Sequence, residues 1–281
     1  MTASANPLGK YFRKPGIHIK LPTGGKFFST DEIETSINHE VAVFPMTAAD
    51  EITLKNPDML LNGEALERLF RSCVPGIKNP RKISIPDMDV LLLAIKLASL
   101  GEDLPVKTQC PKCETKIEVG VPIRPLLDGA TSINEKNEVR LNEEVVVHVK
   151  PYDFESKTIL DMAAFEERQL YRYLVGQEDM DETERSRKFG ESFDKFARLN
   201  LSLVSRCVVS VSTPEGEVGD QEFVAEFIRN IDKTSTAKIT DAIKELASSG
   251  IDRTITLNCP SEECKNEWQT ELVFDPISFF A

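Results

Sequence analysis

Two periodicities run along the chain. Alternation of apolar and polar residues, the mark of a strand with one buried face, covers 17–28 around Thr23-Gly-Gly25, then 39–44, 105–123, 140–150, 208–212 and 252–274. The first is read as a hairpin turning at the glycines and 140–150 as one strand. Helical spacing predicts helices starting at Thr47 and over 63–73, 86–100, 153–175, 181–205, 220–230 and 235–248. The last is capped by Thr234 or Ser235 and stopped at Gly250. In 86–100 the apolar residues run most of the way round, which predicts a central helix. Phe189, Phe193, Phe196 and Leu199 fall at helical spacing and read as core or as a seam for a partner helix.

The order of elements predicts an α+β fold of small hairpins and helices. Residues 1–16, with Pro7, Pro15 and Gly16, read as an extended arm. Residues 17–127 read as an α+β domain, 128–138 as a linker, 139–250 as an inserted, mainly helical subdomain, and 251–281 as a segment whose tail packs back on the first domain.

Composition narrows the function. The chain of 281 residues carries 34 Lys and Arg against 46 Asp and Glu, a formal charge of −12. Nucleic-acid binding needs clustered cations, so this balance argues against it; Lys10-Tyr-Phe-Arg-Lys14 is one candidate basic patch, read first as a solvated basic arm. The longest apolar run, 90–100, is interrupted by Lys96 and falls short of the ~20 residues of a membrane span. The first residues have no apolar core of a signal peptide. The expectation is a protein made in a cytoplasm, with no membrane partner.

Six cysteines in such a compartment are not expected to form a disulfide framework. Four fall into two matched pairs, Cys110-Pro-Lys-Cys113 and Cys259-Pro-Ser-Glu-Glu-Cys264, each flanked by alternating strand-like residues. Each pair is placed at the tip of a hairpin. Cys110, Cys113, Cys259 and Cys264 together would make a closed four-thiolate set, the pattern of a structural zinc in a zinc-ribbon-like site. An iron or iron–sulfur centre takes the same ligands, and two unrelated pairs remain open. A redox Cys-x-x-Cys would normally open a helix, whereas 117–121 reads as strand. A catalytic zinc needs an open position that four cysteines do not leave. Cys73 and Cys207 sit among apolar residues at core spacing. His18, His39 and His148 lie far apart, and no nucleophile or phosphate-loop motif is present.

Several segments together resemble a known family: 44–51 (Phe-Pro-Met-Thr-Ala-Ala-Asp-Glu), 56–63 (Asn-Pro-Asp-Met-Leu-Leu-Asn-Gly), 85–95, the two cysteine knuckles and 274–280. The set is similar to the T-even-type bacteriophage baseplate proteins of contractile tails. The resemblance is densest over 40–125 and 250–281. It implies a non-enzymatic structural or assembly role in the baseplate hub or inner wedge, other tail proteins as partners, several copies in a symmetric assembly, and a place in the virion tail. It leaves open an assembly chaperone absent from the mature particle. A thiol- or zinc-dependent enzyme and a zinc-ribbon adaptor on nucleic acid are the competing classes.

Overall fold

The computed structural model describes residues 6–133, 137–176 and 181–274. The expected tail contacts of 277–280 therefore lie outside the described residues. The fold is α+β, with two hydrophobic cores.

The first core is built round one helix. After β1 (Ile17–Lys20) and β2 (Glu40–Val43) come α1 (Ala48–Leu54), α2 (Pro57–Leu61), α3 (Glu64–Cys73) and then α4 (Ile85–Leu100). Every residue of α4 from Val90 to Ile95 is fully buried, as an apolar surface on all sides requires. Each Leu or Ile there is worth about 1.5–3 kcal/mol in burial. Leu66, Leu69, Phe70 and Cys73 of α3 pack onto the same core, and Phe70 meets Phe154 edge-on at 6.1 Å. The helix start expected at Thr47 is a full capping box: Thr47 Oγ1 accepts from Asp50 N–H, and Asp50 accepts from Thr47 N–H.

The expected hairpin over 17–28 does not form. β1 pairs instead with β2, in antiparallel register from Ile17 opposite Val43 to Lys20 opposite Glu40. The reason is a long-range contact. Thr23 donates both its N–H and its hydroxyl to the buried carboxylate of Asp87 in α4, which holds the glycine turn against the core instead of letting the chain fold back on itself.

The arm is anchored by Arg13. Its guanidinium donates to the carbonyls of Pro45 and Ser72 and to Ser72 Oγ, the last two at 2.7 and 2.8 Å. Outside that clamp Tyr11 and Phe12 are exposed.

Two hairpin strands follow α4, β3 (Asp103–Gln109) and β4 (Lys116–Pro122), and then the short α5 (Ile123–Asp128). In the stretch expected as a linker, Thr131 N–H donates to Gly250 and Ile133 N–H to Pro22, which hold 131–133 against the body.

The second core combines a sheet with helices. β5 (Glu138–Arg140), β6 (Val146–Val149), β7 (Val208–Thr213) and β8 (Gly216–Val218) form one antiparallel sheet in sequence order. The single strand expected over 140–150 is thus two. Asn142 breaks it, its side chain accepting the N–H groups of Glu144 and Val145 in an Asx turn. Between β6 and β7 run the long helices α6 (Phe154–Gly176) and α7 (Glu182–Cys207). Only the ends of these helices nearest the sheet, plus Leu174, are buried. Of the aromatic stripe, Phe193 is 67 % exposed, so it is not core.

α8 (Gln221–Asn230) and α9 (Lys233–Ala247) cover the sheet through Val224, Ile228, Ile239 and Ile243. The cap of α9 is Asp232, which accepts from Thr234 and Ser235 N–H; the two residues expected as caps are the donors. The chain then returns to the first core as β9 (Thr254–Asn258) and β10 (Glu267–Glu271), with Ile251 and Leu272 buried in it. None of the described helices is long and apolar enough to cross a membrane.

Candidate metal centre

The site is the meeting point of two hairpin tips. β3 and β4 pair antiparallel from Asp103 opposite Pro122 to Gln109 opposite Lys116. β9 and β10 pair from Thr254 opposite Glu271 to Asn258 opposite Glu267. The two turns are built alike. Cys110 N–H donates to Thr115 and Cys259 N–H to Asn266, closing each ladder. Glu114 N–H then donates back to Cys110, and Lys265 N–H to Ser261. The residue after the second cysteine is left-handed in both, with φ of 57° at Glu114 and 44° at Lys265. A side chain in that conformation costs roughly 1–2 kcal/mol, and both tips carry it at the same place.

The four sulfurs converge. The thiols of Cys110, Cys113, Cys259 and Cys264 all lie within 4.8 Å of one another. Cys110 Sγ is 3.8 Å from Cys264 Sγ, and Cys113 Sγ is 3.5 Å from Cys259 Sγ. A tetrahedron with metal–sulfur bonds of about 2.3 Å has edges of about 3.8 Å. The donor set therefore fits a four-coordinate thiophilic metal, and it fits zinc and iron equally. These separations are far beyond the ~2.05 Å of a disulfide. Each close pair takes one sulfur from each hairpin, so a metal here would fasten residues 110 and 113 to 259 and 264.

Electrostatics of the bare thiols show the same pressure. Hydrogen bonds from Thr115 pull Cys113 down to about 6. Cys110 is raised by burial, but N–H groups of Lys112 and Cys113 outweigh it and the net direction is down. Ser261 N–H pulls Cys259 down, yet burial and the neighbouring thiols win and push it up to about 12. Burial raises Cys264. Four thiolates do not share this space without a cation between them.

Two supporting residues were not singled out from the sequence. Thr115 Oγ1 lies 3.1 Å from Cys113 Sγ, and Asn266 Nδ2 reaches across to Cys110 Sγ at 3.9 Å. Both stand two places after the second cysteine of their knuckle, an offset the paired motifs already contained. Cys73 and Cys207 lie apart from the cluster; burial pushes them up to about 11 and about 12. His148 Nε2 is 3.0 Å from Ser212 Oγ on the second sheet, and no histidine joins the described cysteine cluster.

The family model described as "T4 bacteriophage base plate protein" matches residues 14–281. The chain belongs to that family. The match takes in both knuckles and both cores, and it bears out the resemblance read from the segments around Phe44, Asn56 and Ile85. Membership places the chain among bacteriophage baseplate components, which associate with other tail proteins. Comparison with curated proteins and with solved structures finds no match.

Proposed function

We propose that this baseplate protein is a structural, non-enzymatic part of the hub or inner wedge region, held in shape by a structural zinc on Cys110, Cys113, Cys259 and Cys264. The convergence of four thiols from sequence positions about 150 residues apart carries the reading. A closed four-thiolate site leaves no position for a substrate or an activated water. Its metal-binding energy becomes folding energy, and it joins the last hairpin to the middle of the chain. That suits a part that must keep its shape under load among several neighbours.

Quantitative mass spectrometry of washed virions tests the assignment. The expected result is this chain at a fixed low copy number relative to known tail proteins. Its absence from virions, with abundance in infected-cell lysate, would overturn the structural reading in favour of an assembly chaperone.

A further inference from the structure

Each knuckle hairpin is a two-stranded sheet, so each of its strands has one unpaired edge among the described residues, and those of β3 and β10 border one groove. Among the described residues β3 pairs only with β4, and β10 only with β9. The ladder closures fix which backbone groups those edges present. Cys110 N–H donates to Thr115 and Ile123 N–H to Glu102, so the even-numbered residues of β3 bond to β4. Antiparallel ladders alternate, and Lys107 and Gln109 therefore aim their N–H and C=O groups away from β4. Likewise Cys259 N–H donates to Asn266 and Leu272 N–H to Arg253, so Gln269, Glu271 and Val273 aim theirs away from β9.

These edges line one groove. It holds about 580 Å³, and its walls are residues 104–108 with Glu118 of β4 on one side and 270–273 on the other. The floor at the core end is apolar, with Leu104 and Leu272 buried. Val273, on the rim, is 78 % exposed. The rim carries one cation and two carboxylates: Lys107 and Glu118 form an exposed ion pair at 3.7 Å, which leaves Glu271 as the excess charge. Pro105 removes one donor from β3 and so blunts indiscriminate pairing there.

We propose that this groove receives an extended, non-acidic segment of a neighbouring baseplate protein, which adds as a strand along the free edge of β10 with β3 as the opposite wall. The proposal rests on the baseplate reading, which supplies neighbours. The occupant follows from chemistry: open rows of N–H and C=O groups take a strand, the excess carboxylate on the rim disfavours an acidic one, and the exposed Val273 offers apolar surface to it. The metal centre holds the two walls together at the other end.

Amide hydrogen exchange of the metal-loaded chain, free and within assembled baseplates, tests it. Peptides covering 105–109 and 268–273 are expected to exchange at least tenfold more slowly in the assembly, with little change in β4 and β9. Gln269→Pro removes an outward N–H and leaves the β9 ladder intact; it is expected to keep metal content and melting temperature yet enter particles at least tenfold less well. Edges that exchange equally fast in the particle, edges already slow in the free chain, or normal entry of the proline variant would overturn the proposal. Mass spectrometry of the same particles reads the baseplate assignment separately. Absence of the chain sinks that assignment, whereas presence with unprotected edges sinks only the docked strand.

Discussion

Arg253 stands at the start of the last hairpin and reaches Asp89 in α4, 164 residues away in sequence. Asp89 is 4 % exposed at its side chain and Arg253 about a third exposed. Burial pushes the Asp89 carboxyl up to about 6, against the downward pull of the guanidinium. The substitution Arg253→Met keeps the aliphatic stem, which packs with Phe274, and removes the charge. Breaking one side of a buried pair costs about 3–5 kcal/mol, because the remaining charge is left in a poor solvent. Its pH dependence has a definite sign. A carboxyl raised in the native state binds more protons there than in the unfolded chain, so it lowers stability above pH 6 and that loss disappears as the pH falls towards 4. Two pKa units amount to about 3 kcal/mol. Removing Arg253 raises Asp89 further, so the variant's deficit is largest at pH 7 and shrinks at pH 5. Trp268, the sole tryptophan, lies in β10 opposite Leu257 of the same hairpin and reports its unfolding in urea. The double variant Asp89→Asn, Arg253→Met leaves no charge at this contact and is expected to recover to within about 2 kcal/mol of the parent. A single variant that loses under 1 kcal/mol at pH 7, or a double variant as weak as the single, would refute the argument.

Other substitutions probe the rest of the frame. Leu92→Ala, at a fully buried position of α4, is expected to cost about 2–5 kcal/mol, read as a lower melting temperature. Gly63 has φ of 77°, and an added Cβ would sit 2.8 Å from Thr158 Oγ1 and 3.1 Å from Phe154 Cζ. Gly63→Ala is therefore expected to destabilise by roughly 2–4 kcal/mol from the left-handed conformation and the clash with α6 together, and a neutral effect on urea unfolding would count against that packing. Thiol counting of the metal-loaded chain should find no fast-reacting cysteine, four after chelation and six only on denaturation, because Cys73 and Cys207 are buried thiols pushed up to about 11 and about 12. Three or more fast thiols in the loaded protein would contradict the metal centre.

Much of this was legible in sequence where the cause is local. An apolar helix closed by Gly101 announces α4, and Thr47 with Asp50 announces α1. The cysteine pairs were legible because their spacing and flanks repeat, and spacing is what a turn must satisfy to aim two sulfurs at one point. What failed depended on partners far along the chain. Thr23-Gly-Gly25 has the chemistry of a hairpin turn, yet Asp87 claims Thr23 and β2 claims β1. The strand over 140–150 broke at Asn142, a turn former that valines on either side masked. The Asp89–Arg253 pair had no signal at all, since nothing in either residue's neighbourhood names the other.

The central claim is that one metal joins the two hairpins. Elemental analysis of the chain purified under reducing conditions measures it directly, for the parent and for Cys113→Ser and Cys264→Ser. One zinc per chain, lost in both variants together with a fall in melting temperature, is the predicted result. A parent without stoichiometric metal, or variants that keep full metal content and the parent melting temperature, would contradict it.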